Sequence, residues 1–111
     1  MQKNTLESKV AMITGGARRI GAAIVEILHR EGMNIVLHYN ASEEEAQELC
    51  ARLNQVRENS VVTLQGDLLE PEIDKSLVQK AHEFWGRLDL LVNNASRFYR
   101  TPFGKVTEYA W

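Results

Sequence analysis

The stretch VAMITGGARRIGAAIVEILHREG, residues 10–32, decides the fold of this chain. It begins with a short apolar run at Val10–Ile13, which has the length and character of a buried strand. After a glycine-rich turn, apolar residues recur at helical spacing, at Ile20, Ala23, Ile24, Ile27 and Leu28. Gly32 then offers a left-handed helix stop. A strand, a tight turn and a helix in this order predict the first half of a βαβ unit.

The rest of the chain repeats this alternation. Further strand-sized apolar runs lie at Ile35–Leu37, Val61–Leu64 and Leu88–Val92. Two further helical patterns have one apolar face each, the first at Ala46, Leu49, Leu53 and Val56, the second at Ile73, Leu77, Ala81 and Phe84. The order βαβαβαβ predicts an α/β fold with a Rossmann-type parallel sheet, right-handed crossovers and helices on both faces. We expect residues 1–111 to form a single such domain, which ends after the fourth strand.

The predicted helix ends have chemical reasons. Ser42 followed by Glu45 is a capping-box pattern, in which hydroxyl and carboxylate satisfy backbone donors reciprocally. Pro71 suits the first turn of the third helix, where a missing N–H costs nothing. Gly86 is a left-handed stop of the same kind as Gly32.

Composition bounds the class of protein. Of 111 residues, 44% are hydrophobic and 25% charged, which is typical of a soluble globular domain. A net charge of −2, with both signs interspersed, gives no reason to expect nucleic-acid binding. The apolar runs are far shorter than the roughly 20 residues of a membrane helix, and the first ten residues have no apolar core of a secretory signal. Because Cys50 is the only cysteine, we expect a cytoplasmic protein without disulfides.

The glycine-rich turn, TGGARRIG at residues 14–21, has features of a phosphate-binding loop. Gly15 can turn tightly and let a pyrophosphate approach the backbone, and the following helix start offers free N–H groups and a partial positive charge. Gly21 permits close packing of helix on sheet. The loop has no GK[ST] ending, so it is not a nucleoside-triphosphate loop. The alternative is an ordinary strand–helix turn, but its position after the first strand of a βαβ unit favours dinucleotide binding.

Arg18 and Arg19 sharpen the choice of cofactor. Cations at a helix start oppose its dipole, and an anionic ligand would remove that conflict. Folds selective for NADH place an acid at the end of the second strand, whereas here residues 38–42 read HYNAS. Polar neutral groups together with Arg18 suit a 2′-phosphate, which favours NADPH over NADH. Glu43–Glu45 argue against this if they face the pocket, and Ser42 serves as helix cap, as phosphate ligand, or as both.

The chain resembles the short-chain dehydrogenase/reductase family, nearly from end to end. The resemblance rests on the loop, on QGDLLEP at residues 65–71 and on GRLDLLVNNASRFY at residues 86–99. The usual family loop is TGxxxGxG, and this chain has Arg19 where the middle glycine stands. That departure, with HYN.S after the second strand and NNASRFY after the fourth, is most similar to the pteridine reductases.

The resemblance implies roles for particular residues. Asp67 and Leu68 would contact the adenine, and Asn94, Ala95 and Ser96 the ribose and phosphate side. Substrate contacts would come from Arg19, Ser96 and Phe98, the last stacking a pterin. The candidate cofactor-binding residues are Gly15, Arg18, Arg19, Ile20, Gly21, His38, Tyr39, Asn40, Ser42, Asp67, Leu68, Asn94, Ala95 and Ser96.

Simpler explanations exist for several of these residues. Asp67 is also suited to bond its own backbone in a turn, a common role of aspartate. Asn93 and Asn94 are suited to satisfy backbone groups at a strand end, and Phe98 to pack in a lid or interface.

The catalytic pair of the family is absent from these residues. That pair is a tyrosine and a lysine spaced YxxxK, in which the tyrosine donates a proton as hydride arrives. Tyr39, Tyr99 and Tyr109 have no lysine four positions later. No catalytic residue is therefore predicted. We expect the N-terminal part of a longer reductase, inactive alone, whose parent is a homo-oligomer, a tetramer by the resemblance.

The remaining reactive side chains carry little signal. His29, His38 and His82 have no metal-ligand spacing with each other or with Cys50, so no metal site is predicted. His29 and His82 are interpreted as helix-surface residues, and Cys50 as a small helix-face side chain rather than a nucleophile.

The sequence therefore predicts an NADPH-dependent oxidoreductase that reduces a C=N bond of a pterin or folate. Two alternatives stay open. One is a short-chain carbonyl or alcohol oxidoreductase, and the other is a non-catalytic nucleotide-binding fragment.

Overall fold

The computed structural model describes residues 6–94. Strands and helices alternate as the sequence predicts. The elements are β1 (Val10–Thr14), α1 (Arg19–Arg30), β2 (Asn34–Tyr39), α2 (Glu43–Val56), β3 (Val61–Gln65), α3 (Ile73–Trp85) and β4 (Leu90–Asn93).

The four strands form one parallel sheet in the order β3-β2-β1-β4. Met12 at the middle of β1 is opposite Val36 of β2 on one side and Leu91 of β4 on the other. The chain leaves β1 first towards β2 and β3 and later returns to the other side for β4. Such a reversal opens a crevice beyond the carboxyl ends of the strands, where open α/β sheets bind ligands. The predicted fold class is confirmed.

Two apolar cores lie on opposite faces of the sheet. Alternate residues of β1 point to opposite faces, so Ala11 and Ile13 pack with α1 and α2, whereas Val10 and Met12 pack with α3. The predicted placement of helices on both faces is therefore confirmed. None of the helices among residues 6–94 is long and apolar enough to cross a membrane.

The predicted inward face of α1 is correct for Ile24 and Leu28, which pack against the first core, and wrong for its other members. Ile20 and Ile27 are 70% and 49% exposed, whereas Gly21, Val25 and His29 are buried. The cause lies at Gly21, where an added Cβ would be 2.1 Å from the carbonyl oxygen of Gly15. Because only a residue without a side chain fits against the loop, α1 turns Gly21 inward. Residues four and eight positions later then face the sheet.

The apolar faces of α2 and α3 are correct except at their last residues. Ala46, Leu49 and Leu53 of α2 and Leu77 and Ala81 of α3 are buried. Val56 is 74% exposed and Phe84 44% exposed. In α3 the inward series continues in steps of four to Trp85, which packs against the second core and leaves Phe84 outside.

Two of the predicted helix starts differ from the structure. Ser42 is the N-cap of α2, yet its side chain makes no capping hydrogen bond, and Glu45 pairs with Arg18 instead (Oε2 to Nε, 3.9 Å). Pro71 lies before the first turn of α3, because Glu72 is left-handed (φ +58°) and the helix begins at Ile73.

Both glycine stops are confirmed. Gly32 and Gly86 have φ of +101° and +76° and follow α1 and α3.

Candidate functional site

A cleft of about 570 Å³ lies beyond the carboxyl ends of the strands. Every strand–helix turn in residues 6–94 contributes to it, together with the residue after β4. The lining residues are Gly15, Ala17, Arg18, Arg19, Ile20, His38, Tyr39, Asn40, Ala41, Ser42, Asp67, Leu68, Leu69 and Asn94. This is the crevice that the strand order opens.

The cleft brings together most residues that the sequence proposes for the cofactor. Among the candidates within residues 6–94, Gly21 alone does not line it and lies behind the loop, against Gly15. Ala95, Ser96 and Phe98 lie outside the described residues. Ala17, Ala41 and Leu69 were missed, because they carry no group that signals a ligand and are detectable only as chain neighbours of the predicted residues.

The glycine loop is fixed by Thr14 and Asn94. Gly15 is left-handed (φ +64°), a conformation that glycine adopts without steric cost. The Asn94 side-chain Nδ2–H donates to the Gly15 carbonyl oxygen (3.2 Å), and the Asn94 backbone N–H donates to Thr14 Oγ1 (2.9 Å). Asn94 therefore satisfies backbone groups at a strand end, as the simpler explanation has it, and it also lines the cleft.

The start of α1 is cationic and uncapped. No side chain caps it and its first turn contains no acid, while Arg18 and Arg19 are exposed along the cleft. Two cations beside the positive end of a helix dipole repel it, so an anion is the ligand that this arrangement accommodates.

Arg19 has the backbone of a glycine. Its φ is +50°, which costs a residue with a side chain roughly 1–2 kcal/mol. Glycine adopts this φ without steric cost, whereas Arg19 adds a guanidinium to the cleft lining.

The end of β2 contributes neutral groups. Tyr39, Asn40, Ala41 and Ser42 line the cleft, and the Asn40 carbonyl oxygen accepts a hydrogen bond from Gln65 Nε2 (3.0 Å). No carboxylate of Glu43–Glu45 lines it. Glu45 nevertheless pairs with Arg18, with both side chains about half-exposed, so one of the three acids does reach a cleft residue.

His38 lines the cleft with a side chain that is almost completely buried (1% exposed). Its Nδ1 accepts a hydrogen bond from the Gly15 N–H (3.0 Å), and its Nε2–H donates to the Gly66 carbonyl oxygen (2.8 Å). Burial lowers the pKa of the imidazole, and the bond to Gly66 opposes that shift. The sequence proposes His38 as a cofactor ligand and gives no sign of these bonds, because they depend on three strand ends meeting.

Asp67 forms the turn that its simpler explanation predicts. Its Oδ1 accepts the Leu69 N–H and its carbonyl oxygen the Glu70 N–H, both at 3.0 Å. Asp67 and Leu68 also line the cleft, so the turn presents the two residues that the resemblance assigns to adenine.

The interpretation of His29 as a surface residue is wrong, since its side chain is 3% exposed. The inward rotation of α1 at Gly21 places it against Ser60, where the two side chains are 2.7 Å apart. The Ser60 hydroxyl donates to the Arg57 carbonyl oxygen, so His29 Nε2–H is the donor to Ser60 Oγ and does not activate it as a base. Burial, and then the charge of Arg57, lowers the His29 pKa. His82 is exposed on α3, as predicted.

The surroundings of Cys50 do not favour the reactive thiolate that a nucleophile needs. Its Sγ–H donates to the Val61 carbonyl oxygen (3.3 Å), and burial raises its pKa. Within residues 6–94 no group of three histidine, cysteine or acidic side chains could hold a metal ion.

Comparisons with known proteins agree with this architecture. The family model for short chain dehydrogenase matches residues 9–111. Pteridine reductase 1 of Leishmania tarentolae is 44% identical over 84% of this chain and 38% of its own length. An uncharacterized oxidoreductase of Methylorubrum extorquens is 33% identical over 93% of this chain and 41% of its own length. A hydroxynaphthalene reductase of Aspergillus fumigatus is 34% identical over 92% of this chain and 37% of its own length.

The chain spans about two fifths of the length of these curated relatives. The family match covers nearly every residue, including the glycine loop, the sheet and the cleft. The chain therefore belongs to the short chain dehydrogenase family.

Proposed function

We propose that the cleft binds NADPH, and that the chain is the N-terminal, cofactor-binding part of a reductase that acts on a pterin or folate. The observation that carries the proposal is the cationic, uncapped start of α1, which faces a cleft that no carboxylate from the end of β2 lines.

The pyrophosphate of the cofactor fits the glycine loop. Gly15 is left-handed and has no Cβ to obstruct the approach of a phosphate to its backbone, and Gly21 lies directly behind it. The helix start supplies N–H donors, and Arg18 and Arg19 supply charge. Ile20 and Asn94 would complete this side of the site.

The 2′-phosphate explains the residues after β2. An NADH site uses a carboxylate to hold the ribose hydroxyls, whereas this cleft presents Tyr39, Asn40 and Ser42 beside Arg18. The Arg18–Glu45 pair is exposed and weak, so a phosphate dianion displaces Glu45 at little cost. We therefore infer a preference for NADPH over NADH.

The bound cofactor would supply hydride, and the described residues would bind and orient it. Asp67 and Leu68 would lie against the adenine. The resemblance gives Arg19, Ser96 and Phe98 to the substrate, and a pterin is proposed because pteridine reductase 1 is among the relatives. YxxxK is absent from this sequence, so we expect the chain alone to bind the cofactor without turnover. We further propose a cytoplasmic parent that assembles as a homo-oligomer.

Two observations favour alternatives. The hydroxynaphthalene reductase relative fits a carbonyl-reducing parent, and the missing YxxxK fits a nucleotide-binding module without catalysis. Loss of NADPH absorbance by the parent separates them. Turnover of dihydrobiopterin supports the pterin proposal. Turnover of ketones alone indicates a carbonyl reductase, and binding without either indicates the module.

Calorimetric titration of the chain with NADPH and NADH tests the cofactor proposal. Arg18→Ala should weaken NADPH binding about tenfold and NADH binding much less, because hydrogen bonds between charged partners contribute roughly 1.5–3 kcal/mol. The matched control is Arg52→Ala on α2, whose guanidinium pairs with Glu26 outside the cleft lining. Equal affinity of the wild type for both cofactors would contradict the account. So would an NADPH affinity that does not change in Arg18→Ala.

A further inference from the structure

Two turns at the carboxyl ends of the strands form hydrogen bonds with His38, at the end of β2. The Gly15 N–H donates to its Nδ1 (3.0 Å), and the Gly16 N–H donates to its carbonyl oxygen (3.0 Å). On the other side its Nε2–H donates to the Gly66 carbonyl oxygen (2.8 Å). One residue at the end of β2 therefore ties the phosphate loop after β1 to the adenine-side turn after β3.

These partners permit only one form of the imidazole. A backbone N–H can only donate, so Nδ1 must carry a lone pair, and a carbonyl can only accept, so Nε2 must carry the proton. Protonation would place an N–H at Nδ1 against the Gly15 N–H, two donors facing each other 3.0 Å apart. The bond to Gly66 would persist. A proton on His38 therefore acts on the glycine loop alone.

We propose that His38 is a proton-sensitive positioning residue for the nucleotide cleft. When neutral, it holds the Gly15–Gly16 loop in the conformation that receives the cofactor phosphates; when protonated, it releases the loop and weakens cofactor affinity. The inference rests on the proposed function, since it needs a phosphate ligand at that loop.

The surroundings of His38 supply little to offset a buried charge. Its ring lies on the same face of β2 as Val36, where α3 presents the apolar Leu77 and Ala81. The ionisable groups that line the cleft with it are Arg18 and Arg19 from the start of α1, Tyr39 from β2, and Asp67 from the turn after β3. Burial lowers the pKa of His38 from 6.5, so the loop is held at neutral pH and released in acid.

Two substitutions of His38 separate the effect of its bond to the Gly15 N–H from the effect of its other side-chain contacts. In H38N the introduced amide would not titrate, but its Oδ1 occupies the place of the imidazole Nδ1 and accepts the Gly15 N–H. H38N should therefore retain more NADPH affinity at pH 7.5 than a variant that has no acceptor for the Gly15 N–H. H38L loses both side-chain bonds and should bind about threefold to tenfold more weakly than wild type at pH 7.5, and this difference should shrink in acid as wild-type His38 is protonated. The matched control is His29→Gln, which replaces another buried histidine far from the cleft lining and should leave affinity unchanged.

The decisive readout is the ratio of dissociation constants, wild type over H38N, from pH 7.5 down to the lowest pH at which both proteins stay folded. Titration of the cofactor's own phosphate cancels in this ratio. We expect the ratio to rise by up to about tenfold per pH unit once the pH is below the His38 pKa. A flat ratio would overturn the inference and leave the proposed function standing.

The Gly15 amide resonance of the ligand-free chain gives an independent test. It should shift with the titration of His38 in the wild type, and it should not titrate in H38N. If the Gly15 amide resonance does not shift as His38 titrates, the inference is overturned, and this test needs no cofactor. Failure of the wild type to bind NADPH at pH 7.5 would instead refute the proposed function, and the Gly15 resonance would then still decide whether His38 controls the loop.

Discussion

The two ends of the sheet each contain a buried histidine, and they use it differently. At the carboxyl end, His38 bonds to the backbone of Gly15, which lines the cleft, and of Gly66, which precedes the cleft residue Asp67. At the amino end, His29 bonds to Ser60, next to Asn54 and Arg57, which join α1, α2 and the start of β3. The exposed fractions of the two histidines are 1% and 3%, and burial lowers both pKa values.

The two histidines differ in the role of the groups to which they are hydrogen-bonded. At the amino end, the residues around His29 form hydrogen bonds that join the helices to the sheet. At the carboxyl end, Gly15 and the start of α1 still face open space. Burial and a shifted pKa therefore do not mark a functional histidine by themselves; the partners decide.

The largest expected effect is at Gly21. Gly21→Val should lower the free energy of unfolding by about 3 kcal/mol and abolish cofactor binding, because its Cβ would be 2.1 Å from the Gly15 carbonyl oxygen. Ala23→Val is the control, on the exposed face of the same helix, and should cost only about 0.5 kcal/mol. Urea unfolding measures both. Equal losses would mean that α1 does not pack on the loop as described.

Asn54→Ala should weaken the packing at the amino end of the sheet without affecting the cleft at the carboxyl end. Asn54 Oδ1 accepts the N–H groups of Ser60 and Val61 (2.8 and 3.0 Å), and these donors would lose their partner. We expect the free energy of unfolding to fall by about 2 kcal/mol, with NADPH affinity of the folded protein unchanged. Gln47→Ala, exposed on α2, is the control. A changed affinity in folded Asn54→Ala would show that the two ends are coupled.

Acid should destabilise both ends. Because the folded pKa of His29 and of His38 lies below the unfolded value of 6.5, the unfolded chain binds more protons between these values. The free energy of unfolding should then fall with pH below 6.5, by up to about 1.4 kcal/mol per pH unit for each histidine, and level off below the folded pKa. Above 6.5 neither contributes a slope. Above about pH 5, where carboxylates stay ionised, urea unfolding of His29→Gln, H38N and the double variant should show the slope removed stepwise. A slope that survives there in the double variant would refute this origin.

The smallest expected effect is at Glu45. Glu45→Gln frees Arg18 from an exposed pair worth about 1 kcal/mol at most, so NADPH affinity should rise no more than about fivefold, and less at high salt. Glu44→Gln is the control, since Glu44 neither pairs with Arg18 nor lines the cleft. Calorimetry at two salt concentrations measures both. An equal gain in Glu44→Gln would point to net charge rather than to the pair.

The sequence predicted the parts of the molecule that periodicity and loop chemistry determine. The strand and helix order, the two glycine stops and the gathering of Gly15, Arg18 and Asp67 at one edge follow from local patterns and the geometry of parallel strands. The inward face of α1 follows from them only in part, at Ile24 and Leu28, because a single close contact at Gly21 overrides the apolar spacing of Ile20 and Ile27.

The bonds of polar side chains were the least predictable. The capping box at Ser42 fails because Glu45 finds Arg18 from another element, and His29 is buried because α1 turns at Gly21. The partners of Glu45 and His29, Arg18 and Ser60, lie 27 and 31 positions away in the sequence, so local patterns do not reveal these bonds.

The most direct test of the account is a map of backbone amide shifts during titration of the chain with NADPH. We expect shifts at the residues that line the cleft, which are 15, 17–20, 38–42, 67–69 and 94, and none at His29, Asn54 or Ser60. Shifts centred on the amino end of the sheet, or no shifts at all, would contradict it.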